Sequence, residues 1–152
     1  MIRGTAVLVV LVVLACAAMP ARAQFLQPEL RVDVSGPVPI AIEPGIGLTT
    51  PLGTYARIGV LAGYDVNGAP ERTGRRWRGD VLARVTLDPF RQQRWALSFG
   101  GGVSYRGATT YLAALVDLEG PEVRGVLPAM QVGVSGGMRA AIVLRRALRG
   151  RR

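Results

Sequence analysis

Apolar and polar residues alternate with a period of two along most of the chain, which is the pattern of β-strands and not of helices. In "RWALSFGGGVSYR", residues 94–106, Trp95, Leu97, Phe99, Gly101, Val103 and Tyr105 share one face, while Ala96, Ser98, Gly100, Gly102, Ser104 and Arg106 share the other. The same rule sets Leu30, Val32 and Val34 against Arg31, Asp33 and Ser35, and Ile40, Ile42, Ile46 and Leu48 against Ala41, Glu43, Gly45, Gly47 and Thr49. Ile58, Val60 and Ala62 oppose Arg57, Gly59, Leu61 and Gly63; Val81, Ala83, Val85 and Leu87 oppose Asp80, Leu82, Arg84 and Thr86. Leu112, Ala114, Val116 and Leu118 oppose Ala113, Leu115, Asp117 and Glu119. No segment has the periodicity of an amphipathic helix.

Punctuation between these runs comes from Gly, Pro and charged clusters. The prolines of "VPIAIEPGIGLTT" predict a bent or bulged strand, and Pro51 with Gly53 predicts a tight turn. "DVNGAPERTGRRWRG", residues 65–79, reads as a long polar loop. Near the end, Met130, Val132 and Val134 share a face, as do Met138, Ala140, Ile142 and Leu144. A three-residue loop at Ser135–Gly136–Gly137 pairs Val134 with Met138 and keeps both sets in phase. The expectation is an all-β fold, an antiparallel up-and-down meander closing into a small β-barrel of eight strands. Reading 126–146, or the Gly100–Gly102 segment, differently lowers the count to seven or six.

The first residues, "MIRGTAVLVVLVVLACAAMPARA", have a positive start at Arg3, an apolar run from Ala6 to Ala18, and Ala21–Arg22–Ala23 before Gln24. This is the layout of a secretory signal peptide, 1–23, and the apolar run is shorter than the roughly 18 to 20 residues of a bilayer span. A barrel domain at 24–146 and a basic tail at 147–152 follow. "VLAC" is also similar to the lipobox of bacterial lipoproteins, which would place a lipid on Cys16. Cleavage after Ala23 removes the only cysteine and leaves 129 of the 152 residues, enough for one domain.

Charge and composition narrow the chemistry. The chain has no histidine, its basic residues are all arginines, and its formal charge of +9 falls to +7 when Arg3 and Arg22 leave with the signal peptide. For an exported protein this balance points to lipid phosphates as partners and not to nucleic acid. Without His or Cys, zinc and copper sites lose their best ligands, and neither a metal nor another cofactor is expected. A Ser-His-Asp triad is excluded, and the glycines of "SFGGGVS" lack the lysine of a phosphate loop. Asp117 and Glu119 lie two apart on one face, a spacing open to acid–base work, yet no nucleophile accompanies them. The expectation is a protein that is not an enzyme.

Two environments suit the alternating faces: a soluble periplasmic barrel or β-sandwich with the aliphatic face inside, binding a lipid or other hydrophobic ligand, or a barrel with that face toward lipid. Full charges at Arg57, Asp80, Arg84, Asp117, Glu119 and Arg139 all oppose the aliphatic rows, and in a lipid-facing barrel they fall in the lumen as a neutralising network. Arg57, Arg84 and Arg139 are expected to neutralise Asp80, Asp117 and Glu119. Tyr55, Tyr64, Trp77, Phe90, Trp95, Tyr105 and Tyr111 lie at or near strand ends, where interfacial girdles place aromatics. In the long loop, Arg72, Arg75, Arg76 and Arg78 surround Trp77, a cluster suited to lipopolysaccharide phosphates or another anionic partner, or equally to a solvated rim.

On its export signal, length, alternation and glycine-rich strands such as "LSFGGGVSY" and "QVGVSGGM", the chain resembles the small outer-membrane β-barrel proteins of Gram-negative bacteria, the OmpA-like and OmpX-like transmembrane barrels. The resemblance spans the whole mature chain. It implies an outer-membrane location, a structural, adhesive or surface-interaction role, and outer-membrane lipid as the surroundings. One departure stands out. Such barrels typically end in a strand whose last residue is aromatic, whereas this chain ends "LRRALRGRR", which either departs from what the assembly machinery recognises or implies a tail running past the last strand.

Overall fold

The computed structural model describes residues 26–36, 40–67, 76–87 and 94–147. The expected signal peptide at 1–23 and residues 148–152 of the tail lie outside them. Eight strands follow in chain order: β1 (Gln27–Gly36), β2 (Ala41–Leu52), β3 (Ala56–Tyr64), β4 (Trp77–Thr86), β5 (Ala96–Arg106), β6 (Thr109–Glu119), β7 (Val126–Ser135) and β8 (Met138–Arg146). Each pairs antiparallel with the next, and β1 pairs with β8 through Leu30↔Leu144 and Val32↔Ile142, so the sheet closes into a barrel. Closure rules out the β-sandwich alternative. It also leaves no open sheet edge.

The turns explain the strand count. Gly136, at φ 65°, occupies the left-handed position of the 135–137 loop, where Ser135 N donates to Gly137 O at 2.8 Å and Val134 faces Met138. The loop therefore separates two strands. Gly100–Gly102, in contrast, run unbroken through β5, paired to Leu115, Ala114 and Ala113. Gly102 is needed where it stands because a Cβ there would lie 2.0 Å from the Val81 carbonyl oxygen.

Two segments differ from the sequence reading. β2 continues through Pro44, since the β2–β3 ladder begins only at Gly45↔Gly63 and the missing N–H interrupts no pairing on that side. Beyond that point the β3–β4 connection caps β2: Asn67 Oδ1 accepts from Ile42 N at 2.7 Å, and Val66 N donates to Ile42 O at 3.0 Å. The second difference is at 65–79, read as loop throughout. β4 already starts at Trp77, with Tyr64↔Trp77 and Gly63↔Arg78 in register. A cluster of arginines looks solvated in a sequence, but Arg78 is a lumen residue here and its strand extends to carry it.

The distribution of side chains is inverted relative to a soluble domain. Outward positions on all eight strands are mostly aliphatic or aromatic, and exposed ones include Leu30, Val60, Val81, Phe99, Met130 and Ile142. Inward positions are buried and largely polar, including Glu29, Arg31, Asp33, Asp80, Arg84, Asp117 and Glu119. Two small apolar groups share the interior: Leu61, Leu82, Ala113 and Leu115 between β3, β4 and β6, and Ala129, Ala141 and Val143 between β7 and β8. Tyr55 and Trp95 lie at the barrel end that carries Gln27 and Arg146. Tyr64, Trp77, Tyr105 and Tyr111 lie toward the opposite end.

Candidate functional site: the charged lumen

The site begins with β1. Strand alternation turns Glu29, Arg31 and Asp33 inward one above another, and together they form the axis of the lumen. Arg31 Nε and Nη2 grip the Asp33 carboxylate as a fork, both at 2.7 Å, while Arg31 Nη1 reaches Glu29 at 3.3 Å. A bidentate guanidinium–carboxylate pair fixes geometry as well as charge. Gln131 Oε1 from β7 accepts a further hydrogen bond from Arg31 Nη2.

Other strands add to this axis. Glu29 is met by Arg84 from β4 and by Arg145 from β8, each at 3.1 Å. Asp33 is met by Arg78 from β4 at 2.7 Å and by Arg139 from β8 at 3.0 Å. Arg139 also pairs with Asp80 at 2.9 Å, Arg145 with Asp117 at 2.7 Å, and Arg57 with Glu119 at 3.4 Å. Toward the end opposite Gln27, Glu43 accepts from Arg78 and from Arg106. An unbroken path of ion pairs thus runs Arg106–Glu43–Arg78–Asp33–Arg31–Glu29–Arg145–Asp117 along the interior.

Among the described residues the network joins seven arginines to six carboxylates, so its charges nearly cancel. Removing charge from water costs several kcal/mol per ion, and only a closely neutralised set with filled hydrogen-bond positions offsets that. Hydroxyls add to it: Ser104 Oγ donates to Asp80 at 2.6 Å and Ser35 Oγ to Glu43 at 3.2 Å. Small residues on the same inner face make room for the guanidinium arms. A Cβ on Gly45 would stand 3.3 Å from Arg31 Cγ, and one on Gly100 would stand 2.9 Å from Arg84 Cγ.

Of the residues singled out in the sequence, Arg57, Asp80, Arg84, Asp117, Glu119 and Arg139 all face this interior. Arg57 meets Glu119 and Arg139 meets Asp80, within the expected set, whereas Arg84 pairs with Glu29 and Asp117 with Arg145. Asp117 is ion-paired with Arg145 and Glu119 with Arg57, so both carboxylates belong to the charge network. The arginine-rich loop divides. Arg72 and Arg75 lie outside the described residues. Trp77 points outward, packed edge-to-face on Tyr64 with ring centroids 4.9 Å apart, and Arg76 Nη1 approaches the Tyr64 hydroxyl at 3.4 Å. Arg78 must be corrected. Buried among Asp33, Glu43 and Asp80, it is withdrawn from any external anion.

Sequence reasoning left out Glu29, Arg31, Asp33, Glu43, Arg106 and Arg145 as members of the network. The signal was present, since the same two-residue phase that selected Arg84 also turns Arg31, Asp33 and Glu43 away from the aliphatic rows.

What the fold defines is a class: closed eight-stranded antiparallel barrels with an apolar wall and a charged, filled lumen. Comparison with known proteins narrows it no further, because no family model, curated protein or solved structure matches the chain.

Proposed function

We propose that the protein is a small integral β-barrel of the bacterial outer membrane, non-enzymatic, with a structural, adhesive or surface-interaction role. The observation that carries this reading is the inverted surface: aliphatic rows outside on every strand, paired charges within. A contiguous apolar surface of that extent is far beyond what soluble monomers expose. Lipid is the solvent that accepts it. Strands of 9 to 12 residues match the roughly 9 to 11 of a tilted membrane-crossing strand. Aromatics near both barrel ends suit the two interfaces, with Trp77 at one and Trp95 at the other. Arg76 beside Trp77, with Arg72 and Arg75 nearby in the chain, suits the phosphates of lipopolysaccharide.

A soluble ligand-binding barrel needs the opposite arrangement, an apolar cavity and a polar wall. Here the arginine arms occupy the interior, and eight strands leave a lumen that side chains can fill, so neither a ligand chamber nor a diffusion pore is expected. The test is cell fractionation of the full chain. The mature protein is expected in carbonate-resistant membranes, extracted only by detergent, and running as a heat-modifiable band on unboiled gels. Recovery of folded protein in the soluble periplasmic extract would overturn the proposal.

A further inference from the structure

The outer wall is not uniform. Across β8, β1, β2 and β3 it is hollowed into a groove of about 790 Å³, walled by the outward side chains of Leu30, Ile46, Leu48, Val60 and Leu144. At its end near the start of β1 stand two arginines, Arg124 and Arg146, both exposed. The fold holds them together. Val126 and Arg146 are register partners, and Ala147 N donates to Gly125 O at 2.8 Å. Arg124 and Gly125, at φ 53° and 80°, form the two-residue turn of a small hairpin closed by reciprocal Val123–Val126 hydrogen bonds of 2.8 and 3.0 Å. That turn prefers Asn, Asp or Gly at its first position, so an arginine there is held in a backbone conformation it does not favour. Among the described residues, neither guanidinium is engaged by a carboxylate. This separates them from the arginines of the lumen.

We propose that this groove is a site for one anionic phospholipid, its chains along the apolar wall and its phosphate between Arg124 and Arg146. The inference rests on the membrane reading above and adds a specific ligand to it. Two guanidinium groups at the mouth of a mostly apolar groove, whose lining also includes the buried Glu29, complement a single phosphodiester head on hydrocarbon tails, since guanidinium forks match phosphate oxygens. Their place at the strand ends puts them at the depth of lipid headgroups, where basic side chains gain from anionic lipid.

The full mature chain, purified in mild detergent and exposed to phosphatidylglycerol, phosphatidylcholine of the same chain length, or lipopolysaccharide, tests this by native mass spectrometry. One retained phosphatidylglycerol per barrel is expected, with little phosphatidylcholine. R124Q/R146Q is expected to lower retention roughly tenfold, the scale of lost charge-assisted contacts. Leu48→Trp, which fills the groove and keeps both arginines, is also expected to lower it. R94Q, an exposed arginine at the same end but before β5 on the far side, is expected to leave it unchanged. Equal retention of phosphatidylcholine, an equal loss in R94Q, or preferential retention of lipopolysaccharide would overturn the site. A heat-modifiable band from each variant shows that the barrel is intact. A membrane-embedded barrel that retains no lipid sinks this inference alone, whereas a soluble protein sinks the membrane reading as well.

Discussion

Glu29 is the residue whose neutralisation the lumen should tolerate least. It is 1% exposed and faces Arg31 at 3.3 Å, with Arg84 and Arg145 each at 3.1 Å. Glu29→Gln keeps the shape and removes the charge. Arg31 then retains Asp33, and Arg145 retains Asp117, but Arg84 has no other carboxylate partner among the described residues. Stranding one buried charge costs about 3 to 5 kcal/mol. Arg84→Met strands nothing, because Glu29 keeps two guanidinium partners, so its cost should be smaller. Combining the substitutions removes both ends of the pair. Since replacing a buried pair by apolar groups is often close to neutral, the double variant should be more stable than E29Q alone. Reversible urea unfolding of the refolded barrel in lipid vesicles, followed by tryptophan fluorescence, measures all three. Additive losses in the double variant would show that Arg84 and Glu29 are not coupled, and would refute the network as drawn.

Three further outcomes are expected. Gly102→Ala should abolish folding to the heat-modifiable form, because its Cβ would stand 2.0 Å from the Val81 carbonyl oxygen, while Gly101→Ala, whose Cβ meets Ala113 O at 3.2 Å, should fold with a modest loss. On the outer wall, Met130→Arg should cost about 2 to 4 kcal/mol in vesicles and Val126→Arg, at the start of β7, about 0 to 1; equal costs in the same urea assay would mean that no membrane depth separates them. The wild-type protein in planar bilayers should give no steady ion conductance, since paired arginines fill the lumen. A stable open current would reject that filling.

Which side of each strand faces inward was legible from alternation alone, because a closed barrel separates its two environments by one strand thickness and a period of two can carry no other message. Even the loop at Ser135–Gly137 was readable, from phase and a glycine able to take positive φ. Pairing across the lumen was not. Arg84 on β4 meets Glu29 on β1, strands that are not neighbours in the sheet, and that meeting depends on the stagger and tilt of the closed barrel. Arg78 differs from its sequence expectation for a related reason: a guanidinium among glycines and other arginines reads as solvated until carboxylates from β1 and β2 are brought to it.

The β1–β8 pairing completes the network. Pairing of β1 with β8 sets Glu29 directly opposite Arg145 and places Asp33 two residues from the partner of Arg139. The same pairing that satisfies the last free sheet edge delivers two of the three guanidinium groups on Asp33 and Glu29 that do not come from β4, Arg139 and Arg145, with Arg31 already beside them on β1. Before closure, the β1 carboxylates have only Arg31 on their own strand, and Asp117 on β6 lacks Arg145. Closure in the wrong register by one residue would turn Glu29, Arg31 and Asp33 toward lipid and away from Arg139 and Arg145. The charged inner face thus discourages misregistered closure, and an apolar lumen would provide no such discrimination.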